Sequence, residues 1–409
     1  MSSPSVRDIP VHPNLTQLKR QAKDLLRLHQ SGDPEAVDLF RRYHPRPSDA
    51  PKLADAQLAI SRSYGIPSWT RLVTACHMTD AIWTDDVEAV RALILKDPKL
   101  LVEDARGVKG NWGPPMSYAA TAGRPRIVAM LRELGAQDVQ YAFERACLKG
   151  WLDTARQLYD MGGRPELGSV MGPCETVNGD GLEFLLSLGA ELADSDGDRL
   201  KAVGLIMETY SRDAKGKHKC LELVAKAGIW LPDTPPMAVH RGRRDLLEAH
   251  LAKDPLLLSR TFTHRDIFPP EIGCSEEPGW ALHGTPLDGT TLLHLCVDYD
   301  EFELAEWMLA NGADANALAA VDKDEFGGHT PIYGTIVSQP YRTGVRAHER
   351  FTRLLLDHGA RTNVRASLRK ALKFAQDETL HEFRDVTPKE WGQRFQVQAW
   401  VNPEALKLV

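Results

Sequence analysis

Cysteine is scarce in this sequence, and its spacing matches no cysteine-based site. Six cysteines are spread over 409 residues, and no two of them form a C-x-x-C pair. This spacing excludes the zinc and thioredoxin-like motifs that such pairs form. Most of the six fall within apolar helical patterns, where a free cysteine acts as a small buried hydrophobe. We therefore expect reduced, structural thiols, and we predict neither a metal site nor a cofactor.

Long apolar runs are missing as well. No stretch approaches the roughly 18 to 20 apolar residues that a membrane span requires. The beginning of the chain, MSSPSVRDIPVHPNLTQLKRQ, lacks the apolar central stretch of a secretory signal. The formal net charge of -6 provides no basic surplus for phosphate binding. These absences predict a cytoplasmic protein that binds neither a membrane nor nucleic acid.

The sequence also lacks contiguous catalytic motifs. The sequence contains no GxSxG elbow, no phosphate-binding P-loop, no HExxH and no GxGxxG that follows a strand. An active site can still be assembled from residues that lie far apart in the chain. The absence therefore favours a protein that is not an enzyme and leaves the enzyme alternative open.

Repeated helix pairs are the main positive feature. The clearest copies are residues 288–317 and 326–364, and a weaker copy is residues 113–137. Each copy predicts a turn, a short helix, a loop and a second helix whose apolar residues recur three and four positions apart. Each second helix is followed by a glycine, which suits the left-handed conformation that ends a helix. These glycines are Gly135, Gly312 and Gly359.

The copies resemble the ankyrin repeat. Thr330-Pro331 and His294 occupy positions of its TPLH start, Ala119-Ala120 match its paired alanines, and residues 312–316 match its GADxN end. The resemblance implies structural roles for His294 and Thr330 in fixing the turn. It also implies a stack of helix pairs whose first helices face a concave side, with loops that project to one side.

We predict an all-α, ankyrin-type helix-pair solenoid of about eight pairs with one long loop insertion. The predicted domains are an N-terminal helical cap at residues 1–77 and a repeat array at residues 78–409. Within the array, the insertion is residues 259–289 and a degenerate cap is residues 386–409. The cap sequences LKRQAKDLLRLHQSGDPEA and LADAQLAISRSYGIPSW resemble the N-terminal segment of a group of bacterial ankyrin-repeat proteins.

The insertion is the most unusual stretch, because long ordered loops are uncommon and often functional. His264, Trp280 and His283 lie within it and suit a binding lip or lid. The alternative is a tolerated surface insertion, since long surface insertions cost little stability. A metal site made of His264, Cys274 and His283 would fit no standard zinc spacing.

The ankyrin resemblance also places a row of side chains on the concave side. Aromatic members would provide stacking area, and basic members would bind carboxylate or phosphate oxygens. The alternative is an ordinary solvated helix face. The predicted row consists of Trp112, Tyr118, Arg145, Lys149, Glu175, His240, Arg241, Asp298 and Tyr299. Residues 212–219, a basic run, are expected to form a solvated loop.

Two functions remain open from the sequence. The favoured one is a recognition scaffold that binds a partner, chiefly a protein, through the concave groove. The alternative is a small-molecule or carbohydrate-active enzyme, a hydrolase or an isomerase, with the insertion as a lid. In that alternative Glu175 and Asp298 are the acid and base, and His240 transfers protons near neutral pH. The two carboxylates would have to converge within about 5 to 10 Å.

Overall fold

The computed structural model describes residues 7–46, 50–278, 283–338, 349–372 and 379–409. The chain divides into two compact units, Met1–Arg164 and Pro165–Val409, and each is built from successive short helices. None of the helices in the described part of the chain is both long and apolar enough to cross a lipid bilayer.

In the described residues of the first unit, every element of secondary structure is a helix, including one 3-10 turn at Pro98–Leu101. Its α-helices are α1 (Leu15–Gln30), α2 (Pro34–Tyr43), α3 (Leu53–Ser63), α4 (Trp69–Trp83), α5 (Val87–Lys96), α6 (Pro115–Thr121), α7 (Pro125–Glu133), α8 (Val139–Lys149) and α9 (Leu152–Asp160).

Helices α1 to α3 pack around an apolar core of their own. The α1 helix begins where the Asn14 side chain accepts a hydrogen bond from the backbone N–H of Gln17, at 2.9 Å. Its apolar residues recur at helical spacing and pack against Phe40 and Ile60. This core continues to Cys76 in α4. The boundary predicted after residue 77 therefore falls inside a helix.

The remaining helices of the first unit form three pairs, α4 with α5, α6 with α7 and α8 with α9. Small residues permit the close packing, since Ala119 and Ala120 of α6 are fully buried. The α7 helix is followed by Gly135, whose φ of 98° only glycine adopts readily. The α6–α7 pair is the copy that the sequence predicts at residues 113–137.

The second unit adds helix pairs, the insertion and a small sheet. Its α-helices are α10 (Met171–Thr176), α11 (Gly179–Ser187), α12 (Arg199–Met207), α13 (Ala214–Lys226), α14 (Pro235–His240), α15 (Arg244–Lys253), α16 (His264–Ile267), α17 (Leu292–Tyr299), α18 (Phe302–Ala310), α19 (Ile332–Ile336), α20 (Arg350–Asp357), α21 (Pro388–Arg394) and α22 (Pro403–Leu406). Its strands are β1 (Ala366–Lys370) and β2 (His381–Val386), and its 3-10 turns are Leu257–Ser259, Pro270–Ile272 and Gln398–Trp400.

Five pairs continue the pattern in the second unit: α10 with α11, α12 with α13, α14 with α15, α17 with α18 and α19 with α20. The TPLH-like start makes one hydrogen bond within its own pair and one to the next pair. The hydroxyl of Thr291 lies 2.9 Å from Nδ1 of His294, and Nε2 of His294 lies 3.1 Å from the carbonyl oxygen of His329. The all-α helix-pair solenoid that the sequence predicts is confirmed.

The antiparallel β1–β2 pair is a departure from the prediction of helices alone. Leu368 lies opposite Phe383, and both side chains are buried. Residues of β1 alternate between buried and partly buried positions, which is the period of a strand with one covered face. Phe383 packs edge-on against Trp391 of α21, with ring centroids 4.7 Å apart. The sheet therefore joins the helices that follow it.

The loops between the later pairs lie side by side. The N–H of Phe262 bonds to the carbonyl of Thr290, that of Ala320 to Gly289, and that of Gly327 to Ser367, each at 2.8 Å. Trp230 of the preceding loop shares a cavity with Phe262. We call the connections 229–234, 260–263, 287–291 and 317–328 the loop edge of the second unit.

Candidate functional site

The predicted concave row of the first unit is partly covered by the chain's own N-terminal segment. The hydroxyl of Tyr118 donates to the carbonyl of Val11 at 2.8 Å and accepts from the indole N–H of Trp83 at 2.7 Å. Arg106 donates to the carbonyl of Ile9 at 3.0 Å. The Tyr118 ring is fully buried, and burial raises its pKa to about 12. The expectation that Tyr118 lines an open groove is therefore wrong.

Three other residues of this row keep contact with solvent. Trp112 and Arg145 are half-buried, and Lys149 is exposed. The guanidinium carbon of Arg145 lies 5.9 Å from the centre of the Trp112 ring, and its Nε donates to the hydroxyl of Thr121 at 3.1 Å. An aromatic face and two cations are thus accessible on the first unit.

The insertion covers the corresponding row of the second unit. Phe268 of the insertion is fully buried, with its ring centroid 5.5 Å from that of His240 and 5.3 Å from that of His283. A Cβ atom on Gly204 of α12 would collide with the carbonyl of Gly273, so the two backbones touch. The described part of the insertion therefore folds onto the helices.

Beneath the insertion lies a group of buried polar side chains. We call it the polar cluster: Arg212, Lys217, His240, His283, Asp298 and Tyr299. The Asp298 carboxylate is its centre. One oxygen accepts from Arg212 at 2.9 Å and from Nδ1 of His283 at 3.0 Å, and the other accepts from the N–H of Gly284 at 2.7 Å. Asp298 of α17 therefore connects the segment that precedes α13 to the insertion.

Lys217 occupies the other half of the polar cluster. Its Nζ lies 3.0 Å from the carbonyl of Met207 and 2.9 Å from Nδ1 of His240. Nε2 of His240 donates to the carbonyl of Ile267 in the insertion, at 3.1 Å. Nζ also lies 3.5 Å from the centre of the Tyr299 ring. The α13 helix is thereby connected to the insertion through His240.

Burial determines which groups of the polar cluster carry charge. Burial lowers the pKa of Lys217 well below its ordinary value, and the Arg212 charge lowers it further. Burial and Lys217 lower the pKa of His240. Burial raises the pKa of Asp298, but Arg212 and His283 outweigh it and hold that pKa below its usual range. The polar cluster thus contains an Arg–Asp ion pair surrounded by groups that favour their neutral forms.

Residues 288–320 match the family model of the ankyrin repeat. No curated protein matches the chain. Among solved structures, the human ASB11 ankyrin repeat domain is similar at 14% sequence identity and a TM-score of 0.21. That comparison covers 81% of this chain and 96% of that chain.

The matched ankyrin repeat contains α17 and α18, and it contributes Asp298 and Tyr299 to the polar cluster. The sequence placed these two residues and His240 on an open groove, but all three are buried. The reason is the insertion, whose Phe268 occupies the space in front of them. His264 and His283, predicted as a binding lip, are buried too, and Nε2 of His264 lies 3.0 Å from the carbonyl of Ser275.

The two carboxylates of the predicted acid–base pair have different surroundings. Glu175 is half-buried at the end of α10, and its carbonyl accepts from the hydroxyl of Thr209 at 2.8 Å. Among the described residues, no hydrogen bond or ion pair joins Glu175 to Asp298. Arg241 is half-buried and forms an ion pair with Glu222 at 2.7 Å. Trp280 lies outside the described residues.

Two members of the polar cluster were missed because residues 212–219 look like a solvated basic loop. That expectation is wrong for Arg212, which is buried, and for Lys217, which lies in α13 and is also buried. Lys217 stands three and four residues before Cys220 and Leu221, which are buried on the same helix. This helical spacing is the feature that could have placed Lys217 in the interior.

Groups of three or more His, Cys, Asp or Glu side chains that could hold a metal ion do not occur among the residues that the structure describes. His264, Cys274 and His283 instead make separate contacts. Burial raises the pKa of the Cys274 thiol to about 12, which keeps it protonated at neutral pH.

Proposed function

We propose that this chain is a recognition scaffold that binds a protein partner through the loop edge of its second unit. The observation that carries the proposal is a set of large apolar side chains that the loop edge leaves in solvent. Trp230 is 66% exposed, Leu318 is 54% exposed and Val321 is 62% exposed. A contiguous exposed apolar patch is typical of sites where another protein binds, and the proposal takes these three side chains as parts of one such patch.

The structure of the loop edge supports this proposal over a site in the concave groove. In the second unit the insertion packs against the row predicted for the groove, whereas Trp230, Leu318 and Val321 of the loop edge are exposed. Aromatic side chains such as Trp230 contribute much of the binding energy at protein interfaces. Trp112, Arg145 and Lys149 of the first unit stay accessible and could contact a polar ligand.

Two residues of the enzyme alternative, Asp298 and His240, belong to the polar cluster. Its members instead satisfy one another: Asp298 is bonded to Arg212 and His283, and His240 to Lys217. Groups paired in this way hold the insertion in place, which favours a structural role over catalysis. The protein-binding proposal is therefore the better supported of the two.

The proposal can be tested by affinity capture from cells that express the full chain. The loop-edge variant carries Trp230→Ser, Leu318→Ser and Val321→Ser. A matched control carries serine at three other exposed apolar positions, Leu95, Val102 and Leu256. We expect at least one protein to be captured by the wild type and the control, and to be lost with the loop-edge variant, when captured proteins are quantified by mass spectrometry.

The comparison is valid only if the circular dichroism spectra of both variants match the spectrum of the wild type. The proposal is wrong if no captured protein depends on the loop edge. It is equally wrong if the control variant loses the same proteins, because the effect would then come from general surface polarity.

A further inference from the structure

A cavity of about 380 Å³ opens at the loop edge between Trp230 and the insertion. Its walls include the Trp230 and Phe262 rings and the proline rings of Pro232, Pro235 and Pro269. Binding pockets for small groups have volumes of roughly 300 to 1,000 Å³ and mostly apolar walls with a few polar groups. The cavity therefore has the size and lining of a pocket for one side chain and its neighbours.

The charged groups at this cavity favour a cation. Arg265 lies in the lining, but it forms an ion pair with Glu271, another lining residue, at 2.5 Å. The remaining charged lining residue is Asp266, whose carboxylate accepts from the N–H and hydroxyl of Thr263 at 2.8 and 2.7 Å. These donors are neutral, so they leave the negative charge of Asp266 in place. Asp233 stands between the lining residues Pro232 and Thr234, and its exposed carboxylate lies 3.0 Å from Nε2 of His250.

The walls are also preorganised. Proline fixes its own φ, so a wall that contains several proline rings loses little conformational entropy when a ligand binds. The Trp230 ring presents an exposed aromatic face, and such a face attracts a guanidinium group through the ring quadrupole and through stacking. Aromatic surface and nearby carboxylates together select a planar cation over a neutral apolar side chain.

We infer that the Trp230 cavity binds an arginine side chain presented by an extended segment of the partner protein. The guanidinium stacks on Trp230, and Asp266 provides the charge that offsets it. This inference rests on the proposed function, because it assigns the chemistry of the partner at the same loop edge.

The experiment uses the full chain labelled with 5-fluorotryptophan and observed by fluorine NMR. The resonance of residue 230 is assigned as the one that Trp230→Phe removes. The probe is the acetylated pentapeptide Ala-Pro-Arg-Pro-Ala amide, and its control contains citrulline, which has the shape of arginine without the charge. We expect the arginine peptide to shift the Trp230 resonance and the citrulline peptide to bind about fivefold more weakly or worse.

Two variants extend the test. Asp266→Asn keeps an oxygen acceptor for Thr263 and removes the charge, so we expect it to weaken binding of the arginine peptide severalfold. Asp153→Asn removes an exposed carboxylate of the first unit and should leave binding unchanged. Unshifted resonances of the other fluorotryptophans show that each variant is folded.

The inference is overturned if the Trp230 resonance does not move at the highest soluble peptide concentration, or if the citrulline and arginine peptides bind equally. It is also overturned if Asp266→Asn has no effect. These outcomes are distinguishable from failure of the proposed function. If a protein is captured through the loop edge and Asp266→Asn does not change its capture, the scaffold proposal stands and the arginine inference is wrong.

Discussion

Nζ of Lys217 lies 2.9 Å from Nδ1 of His240, and both side chains are buried. Because Nδ1 accepts this hydrogen bond, His240 carries its proton on Nε2, where it donates to Ile267 of the insertion. A doubly charged pair at this distance would be strongly repulsive, and burial lowers the pKa of both groups. The insertion is therefore held in place by contacts in which the His240 side chain is neutral.

The contacts of the insertion explain why buried charge is present in a helical repeat array. Burying an ion pair is seldom a net gain, because the cost of removing two charges from water is large. Asp298 nevertheless accepts hydrogen bonds from Arg212 and from His283 and Gly284 of the insertion. The polar cluster therefore determines where the insertion lies, and its members can be tested through stability.

The first prediction concerns Asp298→Asn. This substitution leaves the Arg212 guanidinium buried without its counter-charge, so we expect a loss of about 3 to 5 kcal/mol in the free energy of unfolding. Urea denaturation followed by circular dichroism measures it. The double variant Arg212→Met, Asp298→Asn should lose less than the sum of the two single variants, since it removes both charges.

Asp153→Asn is the control for this prediction, because its ion pair with Arg156 is exposed and should change stability by less than about 1 kcal/mol. If Asp298→Asn keeps the stability of the wild type, the polar cluster does not brace the insertion.

The second prediction concerns Gly204→Ala. Alanine within a helix is normally more stabilising than glycine by roughly 0.5 to 1 kcal/mol. Here the sign should reverse, because the added Cβ collides with the carbonyl of Gly273. We expect a loss of about 1 to 3 kcal/mol, the usual cost of overpacking. Alkylation of Cys274 by iodoacetamide, followed by peptide mass spectrometry, should also become faster as the insertion moves away.

Gly110→Ala serves as the matched control, because its Cβ would meet only the flexible end of Arg106. The alkylation rate of Cys147, which is buried in the first unit, should stay at the wild-type level. Equal or greater stability of Gly204→Ala would contradict the close approach of the two backbones.

The third prediction concerns the pH dependence of stability through His294. Burial lowers the pKa of His294 from 6.5 to about 4. As the pH falls, His294 is protonated near pH 6.5 in the unfolded chain but only near pH 4 in the folded chain. The stabilising contribution of the neutral folded state is therefore fully present above pH 6.5 and is lost as the pH falls below it. The slope for this one group is about 1.4 kcal/mol per pH unit.

Urea denaturation at pH 7.5 and pH 5 measures this dependence. His294→Gln has a neutral side chain throughout, so the stability lost between these two pH values should be smaller than in the wild type by about 2 kcal/mol. His358→Gln, at an exposed position, is the control substitution. An unaltered difference in His294→Gln would show that His294 is not held neutral by burial.

Much of the array could be predicted from local patterns. The apolar period of each second helix and the glycine after it are set within about 25 residues, and the helix pairs follow from them. The role of His294 was likewise local, because its hydrogen bond to Thr291 spans three residues. These features depend on neighbours in the chain, which a sequence displays directly.

The sequence by itself thus determined the helix pairs, their order and the residues on each first helix. Only the tertiary structure decided whether those residues face solvent. Tyr118 is covered by Val11, 107 residues away, and Asp298 is bound by Arg212, 86 residues away. Burial depends on which distant segment packs against a side chain, and helical periodicity contains no information about that segment. The loop edge could not be predicted for the same reason, because its loops become neighbours only when the helix pairs stack.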